Sequence, residues 1–210
     1  MKLYYSPGAC SLADHIALEE AGMPFELERV DLKSRTTESG ADFTVINPKG
    51  YVPTLVFDID EILTENLAIL DWIATRSPAL GLDGPLGRTR LLEALAYLSS
   101  EVHKSFEPLF VGRSAEAMSS ARRIVAHRLA LLAEHPLGPY LFGPCPSVAD
   151  CYLLVMLLWA TKFGIAIPEA LLVLRESMLG RPAVQKAMLR EGLRVQRAGD
   201  DTFQQRMGVA

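Results

Sequence analysis

Residues 1–32 read MKLYYSPGACSLADHIALEEAGMPFELERVDL, and the order of patterns in this stretch decides the fold. Lys2 to Tyr5 is a short apolar strand candidate, and Ser6-Pro7-Gly8 breaks it. Ser11-Leu12-Ala13-Asp14 has the spacing of a capping box, with Asp14 in place of the usual Glu. Leu12, Ile16 and the row Ala13, Ala17, Ala21 follow at helical spacing, and Gly22 and Pro24 close the helix. Phe25 to Leu32 is extended with partial alternation. Strand, helix, strand is the opening of a βαβ unit.

Downstream of it, Lys33 to Gly40 reads as loop or short helix. Pro53 disfavours helix at Val52 and holds it extended. Thr54 to Phe57 is a strand, with Glu61 to Leu63 as its hairpin partner. Thr64 is placed to cap a helix whose stripe is Leu63, Leu67, Leu70 and Ile73, ending near Ser77-Pro78. The stretch SPALGLDGPLGR is rich in Gly and Pro and reads as an interdomain linker. Everything after it has helical pattern. Leu91, Leu95, Leu98, Val102, Phe106 and Leu109 make one stripe, the mark of a long amphipathic helix. Ala117 to His135 makes another helix. Ser147-Val148-Ala149-Asp150 is a second capping box, opening a helix apolar nearly all round and therefore buried. Pro168 and Pro182 open two further short helices. The fold class is thus α/β plus all-α, with boundaries at 1–78, a linker at 79–87, helices over 88–200 and a tail at 201–210.

Three cysteines, Cys10, Cys145 and Cys151, with no CxxC give neither a disulfide framework nor a zinc pattern. The four histidines show no metal-ligand spacing, so no metal is expected. A reducing, cytoplasmic compartment fits this cysteine usage. Net charge is −4, and residues 1–77 carry 6 Lys/Arg against 13 Asp/Glu. Without a basic stripe, nucleic acid is not an expected partner. The longest apolar run, Cys151 to Ala160, is far below the roughly 18 residues of a spanning helix, so no membrane partner is expected.

Four places could carry chemistry. Cys10 lies at a strand-to-helix turn, where amides and the helix dipole favour thiolate. Equally it could be a small buried hydrophobe. Its neighbour Ser11 could donate to a bound thiolate or simply cap the helix. Val52-Pro53 would offer a free backbone N–H and C=O to an extended ligand if its bond were cis, although trans is the default. Glu65 and Asn66 lie at a helix start, where Glu65 could hold an ammonium or only compensate the dipole. His103 could be a donor, acid or base near a thiol, or part of a solvated face where Glu101 and Lys104 pair. Trp72 and Trp159 read as core aromatics.

Taken in order, MKLYYSPGACSL, VINPKGYVPTL, LTENLAILDWI, EVHKSFEPLF, YLFGPCPSVADCYL and RPAVQKAMLREGL resemble a bacterial, beta-class glutathione transferase over roughly residues 1–195. The resemblance implies a thioredoxin-like N-terminal domain followed by an all-helical C-terminal domain. Glutathione would be the co-substrate, conjugated to a small hydrophobic electrophile, with thiol–disulfide reductase activity through Cys10 as a further possibility. A glutathione-dependent dehalogenase, isomerase or ether-cleaving enzyme is one alternative, and a non-enzymatic interaction module of the same fold another. It also implies that Pro53 is cis, and that Tyr51, Val52 and Pro53 meet the cysteinyl part of glutathione. Glu65 and Asn66 would take its γ-glutamyl end and Arg35 its glycine carboxylate. Cys10, Ser11 and His103 would be catalytic. Ala9, Phe106, Leu109 and Phe110 would line the second-substrate pocket. Glu101 and Lys104 would approach the glutathione of a partner subunit in a homodimer.

Overall fold

The computed structural model describes residues 1–59, 61–134 and 138–194. The expected helix end at His135, the last residues of the expected 88–200 helical region and the tail at 201–210 lie outside these.

The opening folds as its pattern dictates. Strand β1 (Lys2–Tyr5) leads into helix α1 (Leu12–Glu20) and then β2 (Glu26–Asp31), which pairs parallel to β1. A two-residue strand β3 (Thr36–Thr37) and a one-turn helix α2 (Phe43–Ile46) follow. The hairpin β4 (Thr54–Val56) and β5 (Ile62–Thr64) precedes α3 (Asn66–Arg76). The sheet order is β3-β2-β1-β4-β5, with β1–β2 parallel and the other pairs antiparallel. A 3-10 turn at Pro78–Leu80 leads to α4 (Gly87–Tyr97). Beyond it lie α5 (Glu107–Phe110), α6 (Ala115–Ala133), α7 (Val148–Lys162), α8 (Glu169–Leu179) and α9 (Pro182–Arg190).

Because side chains alternate across a strand, β1 faces two cores. Leu3 joins the large core, which also takes α1, α3 and the helices after residue 87. Tyr4 points to a smaller cluster with Val30, Phe43 and Val52, roofed by α2. Helix α1 packs on both α7 and α9, so the start of α1 sits where sheet and helices meet. Helix α7 is buried along almost its whole length, as its composition requires.

Four expectations change. The Ser11–Asp14 capping box does not form. Ser11 is already in helical geometry, at φ −58 and ψ −18, whereas a cap needs extended backbone to aim its oxygen at the first amides. Ser11 Oγ turns back to Ser6 instead, and neither Asp14 carboxyl oxygen has a hydrogen-bond partner. Thr64 does not cap α3: it closes β5, and Glu65 takes the cap position at φ 73 without a side-chain cap bond. Residues 33–40 contain β3, whose register is set by pairing with β2 and not by local pattern. The long helix is interrupted, since Leu98–His103 widens into a π-helical segment. Its apolar stripe is buried throughout all the same.

Candidate active site

The turn between β1 and α1 is wound by local bonds: Ser6 N donates to Ser11 Oγ at 3.2 Å and Ala9 N to Ser6 O at 3.0 Å. It presents Cys10, whose Sγ donates to Val52 O at 3.4 Å. The Val52–Pro53 bond is cis. Asn66, from the first turn of α3, donates through Nδ2 to Cys10 O at 2.9 Å. Three separate segments thus converge on one residue, Val52 at its sulfur and Asn66 at its carbonyl.

The field at that sulfur does not favour thiolate, which sets aside the first of the two readings of Cys10. Burial pushes the Cys10 thiol up to about 12, the nearby Asp14 carboxyl adds to this, and the bond from Asn66 only partly opposes it. Helix-start amides do not win here because burial penalises the thiolate more than they stabilise it. In the free protein Cys10 is a protonated thiol with its hydrogen directed to a carbonyl.

Beside it, Glu65 Oε1 accepts from Tyr51 OH at 2.9 Å and from Lys49 Nζ, which also donates to Thr64 Oγ1 at 2.9 Å. The Lys49 bond, with help from Tyr51 and against some desolvation, holds the Glu65 carboxyl below its usual range. Glu65 adds no cap bond of its own, so no side chain caps the leading amides of α3, the place where a helix start holds an anion. Asn66 Oδ1 is buried without a partner. Arg35 lies exposed against Gly50, its Nε 3.2 Å from where a Cβ would stand, so Gly50 leaves room for the guanidinium.

His103 closes the π-helical segment. Its Nδ1 is 2.7 Å from Tyr152 OH, and its ring sits edge-on to Trp159 with centroids 5.0 Å apart. Burial lowers its pKa to about 4, so the imidazole is neutral at ordinary pH. Burial also raises the Tyr152 phenol, and Cys10 adds to this. A cleft of about 390 Å³ runs along Ser99, His103, Lys104, Glu107 and Phe110. A second, about 260 Å³, lies between Pro7-Gly8 and Trp159.

Of the expected pocket residues, Phe110 lines the first cleft, while Phe106 and Leu109 are buried in the core, at 0% and 5% exposure, and do not line it. The lining therefore moves outward, to His103, Lys104 and Phe110. Ala9 is partly buried against the Tyr4–Phe43 cluster. Glu101 and Lys104 do not pair: Glu101 Oε2 is 2.6 Å from the Arg128 guanidinium of α6, which also donates to the Glu101 carbonyl. Lys104 stays on the cleft rim. Ser11 is wholly buried.

The sequence reading missed Lys49, Tyr152 and Trp159. Tyr152 and Trp159 are core, as their apolar run implies, at 0% and 6% exposure, but their polar tips reach His103 and Gly8. Their spacing of seven, two helical turns, was the available signal, since it puts both polar tips on one face. Among the described residues no helix is long and apolar enough to cross a membrane.

A family model described as glutathione S-transferase, N-terminal domain, matches residues 9–76. The chain is 38% identical to the glutathione S-transferase GstA of Escherichia coli O157:H7, over 92% of this chain and 100% of the relative. A sphingomonad glutathione S-transferase complexed with glutathione superposes with TM-score 0.85 at 46% identity, over 92% of this chain and 100% of that one. The bacterial beta-class enzyme of Sphingomonas chungbukensis does so with TM-score 0.85 at 45% identity and the same coverage.

Proposed function

The chain belongs to the glutathione S-transferase family, in its bacterial beta class, and from that premise we propose that it joins the thiol of glutathione to small hydrophobic electrophiles. The observation that carries the proposal is the convergence on Cys10: its Sγ donates to Val52 O beside a cis proline, and its carbonyl accepts from Asn66 at the uncapped start of α3. In a thioredoxin-like fold this is where a cysteinyl peptide pairs with backbone. The peptide of glutathione would bond the main chain at Val52, flanked by Tyr51 and Pro53. Its γ-glutamyl end would meet Glu65 and the α3 amides at Asn66, and its glycine carboxylate would meet Arg35.

Binding sets up the step. The ligand sulfur would accept the Cys10 S–H hydrogen bond now directed at Val52, which stabilises a glutathione thiolate. The thiol proton leaves to solvent, the sulfur attacks the electrophile in the cleft along Phe110 beside the neutral His103 imidazole, and the leaving group departs with its electron pair. Ser11 supports the reaction by holding the 6–11 turn. Because the Cys10 thiol itself is held protonated, it serves as donor in preference to nucleophile, and conjugation is favoured over reductase chemistry. The division into a glutathione-binding part (1–78), a linker (79–87) and a second-substrate part (88–200), a homodimer bringing Lys104 and Glu101 towards the partner's glutathione, and a cytoplasmic site of action complete the proposal.

Titrating reduced glutathione into the reduced protein tests the first half, with about one site per chain expected. A panel of electrophiles assayed on wild type and Cys10→Ala tests the second. Conjugation weakened but present in the variant supports donation. Conjugation untouched, or abolished together with a strong wild-type reductase activity, removes it.

A further inference from the structure

Gly8 stands two residues before Cys10, at φ 67, and both polar atoms of its backbone are gripped from far along the chain. Gly8 N donates to Glu191 Oε2 at 2.9 Å. Gly8 O accepts from Trp159 Nε1 at 2.9 Å. Glu191 sits at the C-cap of α9, 6% exposed, and its second oxygen, Oε1, lies 2.9 Å from Nδ1 of the fully buried His15. His15 is itself wedged between Tyr5 at the end of β1 and Phe25 just before β2. A buried carboxylate is costly unless its oxygens are satisfied. Here one oxygen holds the turn and the other is locked to α1, so the carboxylate cannot rotate freely. We propose that Glu191 is a positioning residue for Cys10: it clamps the Gly8 peptide against the helical part of the molecule and so fixes the direction in which the Cys10 thiol points.

The same geometry distinguishes this from ordinary packing. Arg181 and Glu20 tie α9 to α1 a few turns away through a two-bond ion pair, yet touch nothing in the turn. Among the described residues, Glu191 is the one at this end of α9 whose side chain hydrogen-bonds the backbone that leads into Cys10. Since that turn is only six residues long from Ser6 to Ser11, rotation of the Gly8 peptide must be absorbed at Ala9 and Cys10. Displacements of this kind near a reacting group cost up to about a hundredfold in rate.

The inference rests on the glutathione-site reading for its kinetic arm, and the test separates the two. Glu191→Gln, Glu191→Asp and the control Arg181→Met are measured for kcat, glutathione KM, melting temperature and, without glutathione, the rate of Cys10 alkylation by iodoacetamide. E191Q lowers kcat about tenfold with KM within about twofold and speeds alkylation roughly threefold, while E191D recovers part of both. R181M loses melting temperature but keeps kcat per folded molecule and the alkylation rate. An E191Q protein with wild-type kcat and alkylation, or one indistinguishable from R181M, overturns the proposal. Should the wild type show no glutathione activity at all, the alkylation arm still decides. If the Glu191 variants do not fold, amide exchange at Gly8 in the wild type decides: protection comparable to the core supports the clamp, and free exchange removes it.

Discussion

The chain writes nearly the same cap twice, Ser11-Leu12-Ala13-Asp14 before α1 and Ser147-Val148-Ala149-Asp150 before α7, and folds the two differently. Ser147 is extended, at φ −116 and ψ 172, and Asp150 Oδ2 accepts from Ser147 N and Ser147 Oγ, both at 2.7 Å. Asp150 Oδ1 accepts from Leu141 N at 2.7 Å, pinning the preceding loop as well. Ser11 is helical from the start, and Asp14 is wholly buried with both oxygens unpartnered. The difference teaches that a cap motif is a conditional instruction. It acts when the chain arrives extended. At α1 the chain arrives already turning, because the Pro7–Cys10 turn winds towards Val52 and Asn66. The local optimum of α1 gives way to the presentation of a thiol.

Breaking the good cap has the largest effect. Asp150→Ala leaves the buried amide of Ser147 and the half-buried amide of Leu141 without acceptors and lowers stability by about 3 kcal/mol in chemical denaturation. A loss below about 1 kcal/mol would mean that the two caps are equivalent after all.

Repairing the poor one has the opposite sign. Burial raises the Asp14 carboxyl well above its usual range, with Glu191 adding a smaller push in the same direction. The folded state therefore keeps this proton to higher pH than the unfolded chain does. Its contribution to stability is present at low pH and declines as pH rises above the ordinary carboxylate value, by up to about 1.4 kcal/mol per unit until the folded group ionises. Asp14→Asn has no charge to bury, so it stabilises the protein, by about 1–3 kcal/mol at pH 8 and by little at pH 4. Melting temperatures across that range check it, and a pH-independent effect would contradict it. At pH values where Asp14 is ionised, the same variant makes Cys10 alkylation faster, because the Asp14 charge is one cause of the raised thiol.

His103 sharpens the comparison from the other sign of charge. Its pKa, lowered by burial to about 4, sits below the unfolded value. The stability tied to it is complete above the unfolded value and is lost as pH falls towards 4, about 2 kcal/mol by pH 5. Its ring protons should titrate near 4 by NMR, and the rate profile should show no His103 limb near 6.5. The smallest effects belong to the serines: Ser147→Ala costs about 1 kcal/mol and Ser11→Ala less, read by the same denaturation. Equal costs would erase the distinction between the caps.

What could be read in the sequence follows from range. The β1–α1–β2 opening, the stripe from Leu91 to Leu109 and the buried α7 with its Ser147–Asp150 cap depend on neighbours a few residues apart, so their periodicity was legible. Cys10, Val52-Pro53, Glu65 and His103 were visible as candidates for the same reason. Thr36–Thr37 were not read as a strand, because only β2 makes them one. The π-helical widening at 98–103 leaves the apolar stripe intact, so the stripe could not report it. The proton on Cys10 is set by burial and by Asp14, and the grips on Gly8 come from residues 151 and 183 positions away. No local pattern encodes contacts of that length.

The indole of Trp159 touches both halves of the site, bonded to Gly8 and edge-on to His103. Trp72, the chain's other tryptophan, lies against Phe57 with the Arg76 guanidinium 4.2 Å from its ring. The protein thus carries its own optical gauge with a built-in reference. Filling of the turn and the cleft is expected to change emission from Trp159 and leave that of Trp72 constant, and titrating glutathione into a Trp72→Phe variant checks it without any label.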